Sequence, residues 1–69
     1  MPKPNYTVRL QWLHDGPKMV QKCETEQEAK MTLVDWINRF AGIKAVTLTD
    51  TEGTHFYNAL GKYLFTVPA

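Results

Sequence analysis

Five side chains in this sequence are of types that could do chemistry together: Cys23, His14, Asp15, Asp50 and His55. A thiol needs an adjacent imidazole to populate its thiolate, and the imidazole needs an orienting carboxylate. The minimal nucleophilic set would therefore be Cys23, with His14 or His55 as base and Asp15 or Asp50 behind it. No nucleophile signature surrounds Cys23, and a lone cysteine is ordinarily a small buried apolar residue. The expectation is no catalytic residue and no enzyme. The same five residues could in principle ligate a metal, but none has the short spacing of an HxxxH or CxxC pair. Gly61-Lys62 lacks the glycine spacing and the following Ser or Thr of a phosphate-binding loop, and no GxGxxG occurs. No metal and no cofactor are expected.

Binding chemistry has more material. Arg9, Lys18, Lys22 and Tyr57, with Lys62 near the last, interleave basic and aromatic types in the way that sheet-based single-strand nucleic-acid binders do. Against that reading, eight basic and seven acidic residues leave a net charge of only +1, which supplies no phosphate-attracting footprint. Tyr6, Trp12, Tyr63 and Phe65 are also expected in the core, leaving few rings free to stack. Single-strand nucleic-acid binding through Arg9, Lys18, Lys22 and Tyr57 is therefore the alternative and not the first reading.

The elements that must position these residues are organised around Thr25–Gly42. Thr25 followed by Glu28 is a capping-box start, Glu26 and Glu28 suit the positive end of the helix dipole, and Gly42 suits a left-handed C′ position. The spacing predicts a helix over about Glu26–Ala41, with Ala29, Leu33, Trp36, Ile37 and Phe40 in one core-facing stripe. Met31 and Val34 then project away from that stripe, with Asn38 nearby. Exposed Met and Val on one helix face are a candidate contact patch for another protein or for a second copy.

Before the helix, Tyr6, Val8, Leu10 and Trp12 alternate with Thr7, Arg9 and Gln11, the period-2 signature of a half-buried strand. His14-Asp15-Gly16-Pro17 ends it in a turn, and Lys18–Glu24 reads as a weaker edge strand returning as a hairpin. After the helix, Ile43–Asp50 is a strand with Val46 and Leu48 inward and Ala45, Thr47 and Thr49 outward. Asp50–Gly53 reads as a type I turn with glycine in the left-handed region, and Thr54–Tyr57 as the return strand. A break at Asn58–Gly61 precedes a last strand over Lys62–Val67, with Tyr63, Phe65 and Val67 on one face and Pro68 stopping it.

The expected fold is thus α+β, of order β-β-α-β-β with one further short strand, an antiparallel or mixed sheet carrying the helix on one face. Sixty-nine residues make one domain, 1–69, with residues 1–4 as an extended lead-in. A core that small is only marginally sufficient, which makes a partner easy to accommodate. No apolar run reaches a membrane span and no signal segment opens the chain, so Asn5-Tyr6-Thr7 is discounted as a glycosylation acceptor and a cytoplasmic setting without membrane contact is expected. The function expected from the sequence is a small non-enzymatic protein-binding module: an accessory, inhibitor or adaptor of the kind a phage or mobile element carries.

Overall fold

The computed structural model describes residues 6–69, so the lead-in expected at residues 1–4 lies outside the described residues. Six elements follow one another: β1 (Tyr6–Trp12), β2 (Met19–Cys23), α1 (Glu26–Arg39), β3 (Ile43–Asp50), β4 (Gly53–Asn58) and β5 (Tyr63–Pro68). The five strands form one sheet in the order β2-β1-β3-β4-β5, and every neighbouring pair is antiparallel. The α+β class and the packing of the helix on the sheet are as the sequence implies, with β5 as the additional strand.

Residues paired across an antiparallel ladder share a face, so the registers give the two surfaces directly. One face carries the rows Met19–Leu10–Val46–Tyr57 and Gln21–Val8–Leu48–His55–Thr66. The opposite face carries Val20–Arg9–Thr47–Phe56–Phe65 and Lys22–Thr7–Thr49–Thr54–Val67. The helix lies on the first face. Val8, Leu10, Val46 and Leu48 of the sheet meet Ala29, Leu33 and Trp36 of the helix in the buried core, which Cys23 and Ile43 complete. Ile37 and Phe40 sit at its margin, so the predicted stripe is correct but only its N-terminal part is fully buried.

Helix α1 begins as its sequence dictates. Thr25 is extended (φ −125°, ψ 157°), and its Oγ1 accepts the Glu28 N–H at 3.1 Å, satisfying one of the orphan donors of the first turn. The end differs from expectation by two residues. Phe40 leaves helical geometry (φ −111°, ψ 146°) while its N–H still donates to the Trp36 carbonyl. Its ring lies edge-on to Trp12, centroids 5.8 Å apart, an aromatic pair worth about 0.5–1.5 kcal/mol. Gly42 then takes φ +77°, one position later than the C′ site expected.

The backbone of helix α1 approaches those of β1, β2 and β3 but not those of β4 and β5; towards β4 the contact is through side chains alone, with Tyr57 and Ala59 packed against the core and Ile37 Cδ1 beside Gly61. The physical reason is width. A helix with its side chains is about 10 Å across and spans two strand spacings of ~4.8 Å, whereas five strands span four. The β4–β5 half of the sheet is covered only at its near margin, at Tyr57, Ala59 and Gly61.

Candidate functional site

The uncovered half is built by two turns. At the first, Asp50 Oδ1 accepts the backbone N–H groups of Glu52 at 2.8 Å and Gly53 at 3.2 Å, an aspartate turn of the kind that favours this residue. Gly53 has φ +142° and already belongs to β4, where an added Cβ would lie 2.2 Å from the Val67 carbonyl oxygen. It is not the left-handed turn glycine expected; it is a glycine because β5 passes too close for a side chain. At the second turn, Asn58 Oδ1 accepts from the N–H of Leu60 at 2.8 Å and of Lys62 at 2.9 Å, and Gly61 supplies φ +84°. The break expected at Asn58–Gly61 is this side-chain-nucleated turn.

In β5 the sequence expectation fails in an informative way. Phe65 pairs with Phe56 but Tyr63 with Tyr57, so Leu64 is an extra, bulged residue. A bulge re-aims the side chains that precede it. Tyr63 is turned to the helix-bearing face, with its ring edge-on to Tyr57 (5.8 Å) and its hydroxyl 2.6 Å from Thr66 Oγ1. Phe65 lies on the opposite face, stacked on Phe56 at 4.6 Å. Tyr63, Phe65 and Val67 therefore do not share one face. Nor are Tyr63 and Phe65 core residues: Tyr63, Leu64, Phe65 and Val67 are 51%, 49%, 51% and 49% exposed. Pro68 is the last residue of β5 and not a stop outside it.

The helix-bearing side of this half carries a hydrogen-bonded chain. Tyr63 Oη meets Thr66 Oγ1, Thr66 Oγ1 meets His55 Nδ1 at 2.8 Å, and His55 Nε2 meets Asp50 Oδ2 at 3.0 Å. The chain joins β5, β4 and the end of β3 through side chains alone. Burial would raise the Asp50 carboxyl, but the Glu52 amide, His55 and the Gly53 amide together hold it below its ordinary value. Ligating atoms of Asp50, Glu52 and His55 all lie within 4.8 Å of one another, so two of the five residues with metal-binding or nucleophilic chemistry do come together. The sequence signal for this was the placement of Asp50 and His55 where a two-residue hairpin loop puts both on one face. In the structure Asp50 Oδ2 and His55 Nε2 are engaged with each other and Asp50 Oδ1 with two amides, which makes the group a brace for the hairpin.

The remaining candidates are dispersed. Cys23 is buried at the end of β2, its Sγ 3.7 Å from Thr32 Oγ1. His55 stands three strands away in the sheet order, about 14 Å, and His14 and Asp15 lie past the far end of β1, so no thiol–imidazole pair forms. Arg9 and Lys22 lie on the face without the helix and Tyr57 on the other, with Lys18 in the loop before β2; the four residues of the nucleic-acid reading do not share one surface. Met31, Val34 and Asn38 do. Met31 is 65% and Val34 52% exposed, and with Lys30 and Asp35 they line a shallow depression on the outer helix face.

No helix among the described residues is long and apolar enough to cross a membrane. No protein-family model, no curated protein and no solved structure matches this chain.

Proposed function

We propose that this chain is a small non-enzymatic protein-binding module whose recognition surface is strand β5, at the edge of the half-sheet that the helix leaves uncovered. The observation that carries this reading is the state of that edge. Four consecutive or near-consecutive apolar residues are each about half exposed on a strand with only one neighbour. An edge strand presents unpaired N–H and C=O groups, and proteins blunt such edges with charge. Strand β2, the other edge, carries Lys22 within it and Lys18 just before it. Strand β5 has no charged side chain within it, Lys62 standing just before it. Addition of an extended segment to such an edge is an established mode of peptide recognition, with the ladder supplying affinity and alternate side chains supplying selectivity.

The test is selection of peptides from a random library on the immobilised protein, repeated with Val67→Lys and with Met31→Glu/Val34→Lys. Enriched peptides should be apolar and β-branched, and Val67→Lys alone should abolish their capture. Peptides that survive Val67→Lys and are lost with the helix variant would move recognition to Met31, Val34 and Asn38; failure to enrich any would sink the reading.

The exposed Phe65 ring, stacked on Phe56 in the same row as Arg9, also favours a second reading in which an unpaired base stacks on the open sheet face. A fluorescence titration with single-stranded oligonucleotides at low and high salt separates it. Binding that vanishes in Arg9→Ala and in Phe65→Ala would support it, and absence of binding at low salt would remove it.

A further inference from the structure

We infer that the occupant of the β5 edge is the β5 strand of a second copy, paired antiparallel about a two-fold axis at Thr66 to give a continuous ten-stranded sheet. The inference rests on the reading of β5 as the recognition edge and names the partner.

The backbone fixes where such a ladder would form. The Ala69 N–H donates to the Glu52 carbonyl at 3.1 Å, so Ala69 faces β4. Inward and outward groups alternate along an antiparallel strand, which turns Val67 and Phe65 inward as well, opposite Thr54 and Phe56, and leaves Pro68 and Thr66 facing away from the sheet. Proline is tolerated in a sheet where its missing N–H would have pointed to solvent, and Pro68 is placed in that way. Thr66 is thus the residue with both an outward N–H and an outward C=O, clear of the bulge at Leu64.

A two-fold axis at Thr66 sets its N–H against the C=O of the second copy's Thr66, and the reverse, as one complete hydrogen-bonded pair. The same register puts Phe65 beside the second copy's Val67 on the open face, an aromatic–β-branched pair of the kind that stabilises sheets. Thr66 meets its symmetry mate on the other face.

Charge argues for the second copy over a different chain. A two-fold sets residues equidistant from the axis against each other, so lysines placed evenly about it repel. Tyr63–Pro68 carries no charge; Lys62 just before it lies four residues from Thr66, so the two copies' lysines fall at opposite ends of the ladder, and the uncharged, apolar pair Phe65 and Val67 is complementary to itself. Strand β2 lacks this property, because a two-fold at Val20 would set Lys18 of each copy against Lys22 of the other. The interface is isologous and closes at two. It buries a six-residue strand and its flanking side chains, less than a standard interface of about 1,600 Å², so association should be reversible on dilution.

Sedimentation of the whole chain over a concentration series tests the proposal, with hydrogen exchange at the Thr66 amide measured on the same samples. The expected result is a monomer–dimer equilibrium in which Thr66 exchange slows as the dimer fills. Val67→Lys should weaken association at least ten-fold, with the urea midpoint unchanged when both proteins are diluted to the monomer. A monomer at the highest soluble concentration overturns the inference, and if β5-dependent peptides are still captured, the recognition reading survives without it. A dimer in which Thr66 exchange is independent of concentration, or which Met31→Glu/Val34→Lys dissociates while Val67→Lys does not, overturns it too. A β5 dimer that captures no peptide leaves this inference standing and removes recognition of other chains.

Discussion

Replacing Gly53 with alanine separates two reasons why a position demands glycine, because Gly42 provides the control. Both residues have positive φ, +142° and +77°. At Gly42 an added Cβ meets nothing within 4 Å, whereas at Gly53 it would lie 2.2 Å from the Val67 carbonyl oxygen and 2.9 Å from Pro68 Cα. Gly42→Ala therefore bears backbone strain alone, about 1–2 kcal/mol for an L-residue in the left-handed region. Gly53→Ala bears comparable or greater strain, roughly 1–3 kcal/mol. In addition the β5 backbone must retreat by about 1 Å to reach a normal carbon–oxygen contact. That retreat weakens the Ala69 N–H to Glu52 bond and the Thr54–Val67 pair, at about 1 kcal/mol each. The expected cost is ~3–5 kcal/mol, against a total stability of roughly 3–10 kcal/mol for a chain of this length. Urea unfolding followed by Trp fluorescence should put Gly53→Ala at least ~2 kcal/mol below Gly42→Ala. Hydrogen exchange should show β5 amides losing protection before those of β1 and β3. Equal costs at the two positions, or a Gly53→Ala protein with β5 as protected as before, would refute the close approach of β5 to Gly53.

The Asp50 carboxyl lies below its ordinary value, so its contribution to stability is complete above pH ~4, the unfolded value, and is lost as the pH falls through the lower folded value. Urea midpoints of the wild type should decline across that acid range, and Asp50→Asn should flatten this part of the profile while lowering stability at neutral pH. Leu33→Ala, at a core position only 3% exposed, should cost about 2–5 kcal/mol, whereas Met31→Ala, two residues earlier on the outer face, should stay within ~0.5 kcal/mol of wild type; matched urea curves decide both.

The parts of the fold that were legible in the sequence are those where one periodicity acts without interruption. Tyr6–Trp12 alternates cleanly because one of its faces meets a helix and the other water, and Thr25 through Trp36 carries cap and stripe together. Legibility fails where backbone pairing departs from strict alternation. The bulge at Leu64 moves Tyr63 to the face opposite Phe65, and nothing in the run LGKYLFTVP marks which residue will be extra. Tyr63 and Phe65 read as core for a separate reason: alternation of aromatics signals burial only if a layer exists to bury them, and both are half exposed. The Asp50–His55 contact was hidden for a different reason, since it depends on the hairpin having only two residues between strands.

The uneven coverage of the sheet bears on how the domain can be stable with so much of β5 in water. A 14-residue helix is about 21 Å long, matched to the length of a strand, and about half the width of five strands. On its own side of the sheet the uncovered portion is filled by groups that tolerate water: the tyrosine, threonine, histidine and aspartate of the hydrogen-bonded chain. The polar chain thereby substitutes for a second helix, holding β4 and β5 in register without an apolar layer. On the opposite face no such substitution occurs. Phe65 and Val67 are apolar, and the Phe56–Phe65 stack hides only one side of each ring. A sheet that needed β5 only for its own integrity could have ended in polar residues there, as its Thr7, Thr49 and Thr54 positions do on the same face. The apolar side chains thus concentrate at the one uncharged edge, beside the one threonine whose amide and carbonyl both face outward. Folding explains the polar chain; it does not explain the Phe65–Thr66–Val67 edge, which is why the proposed pairing is placed there.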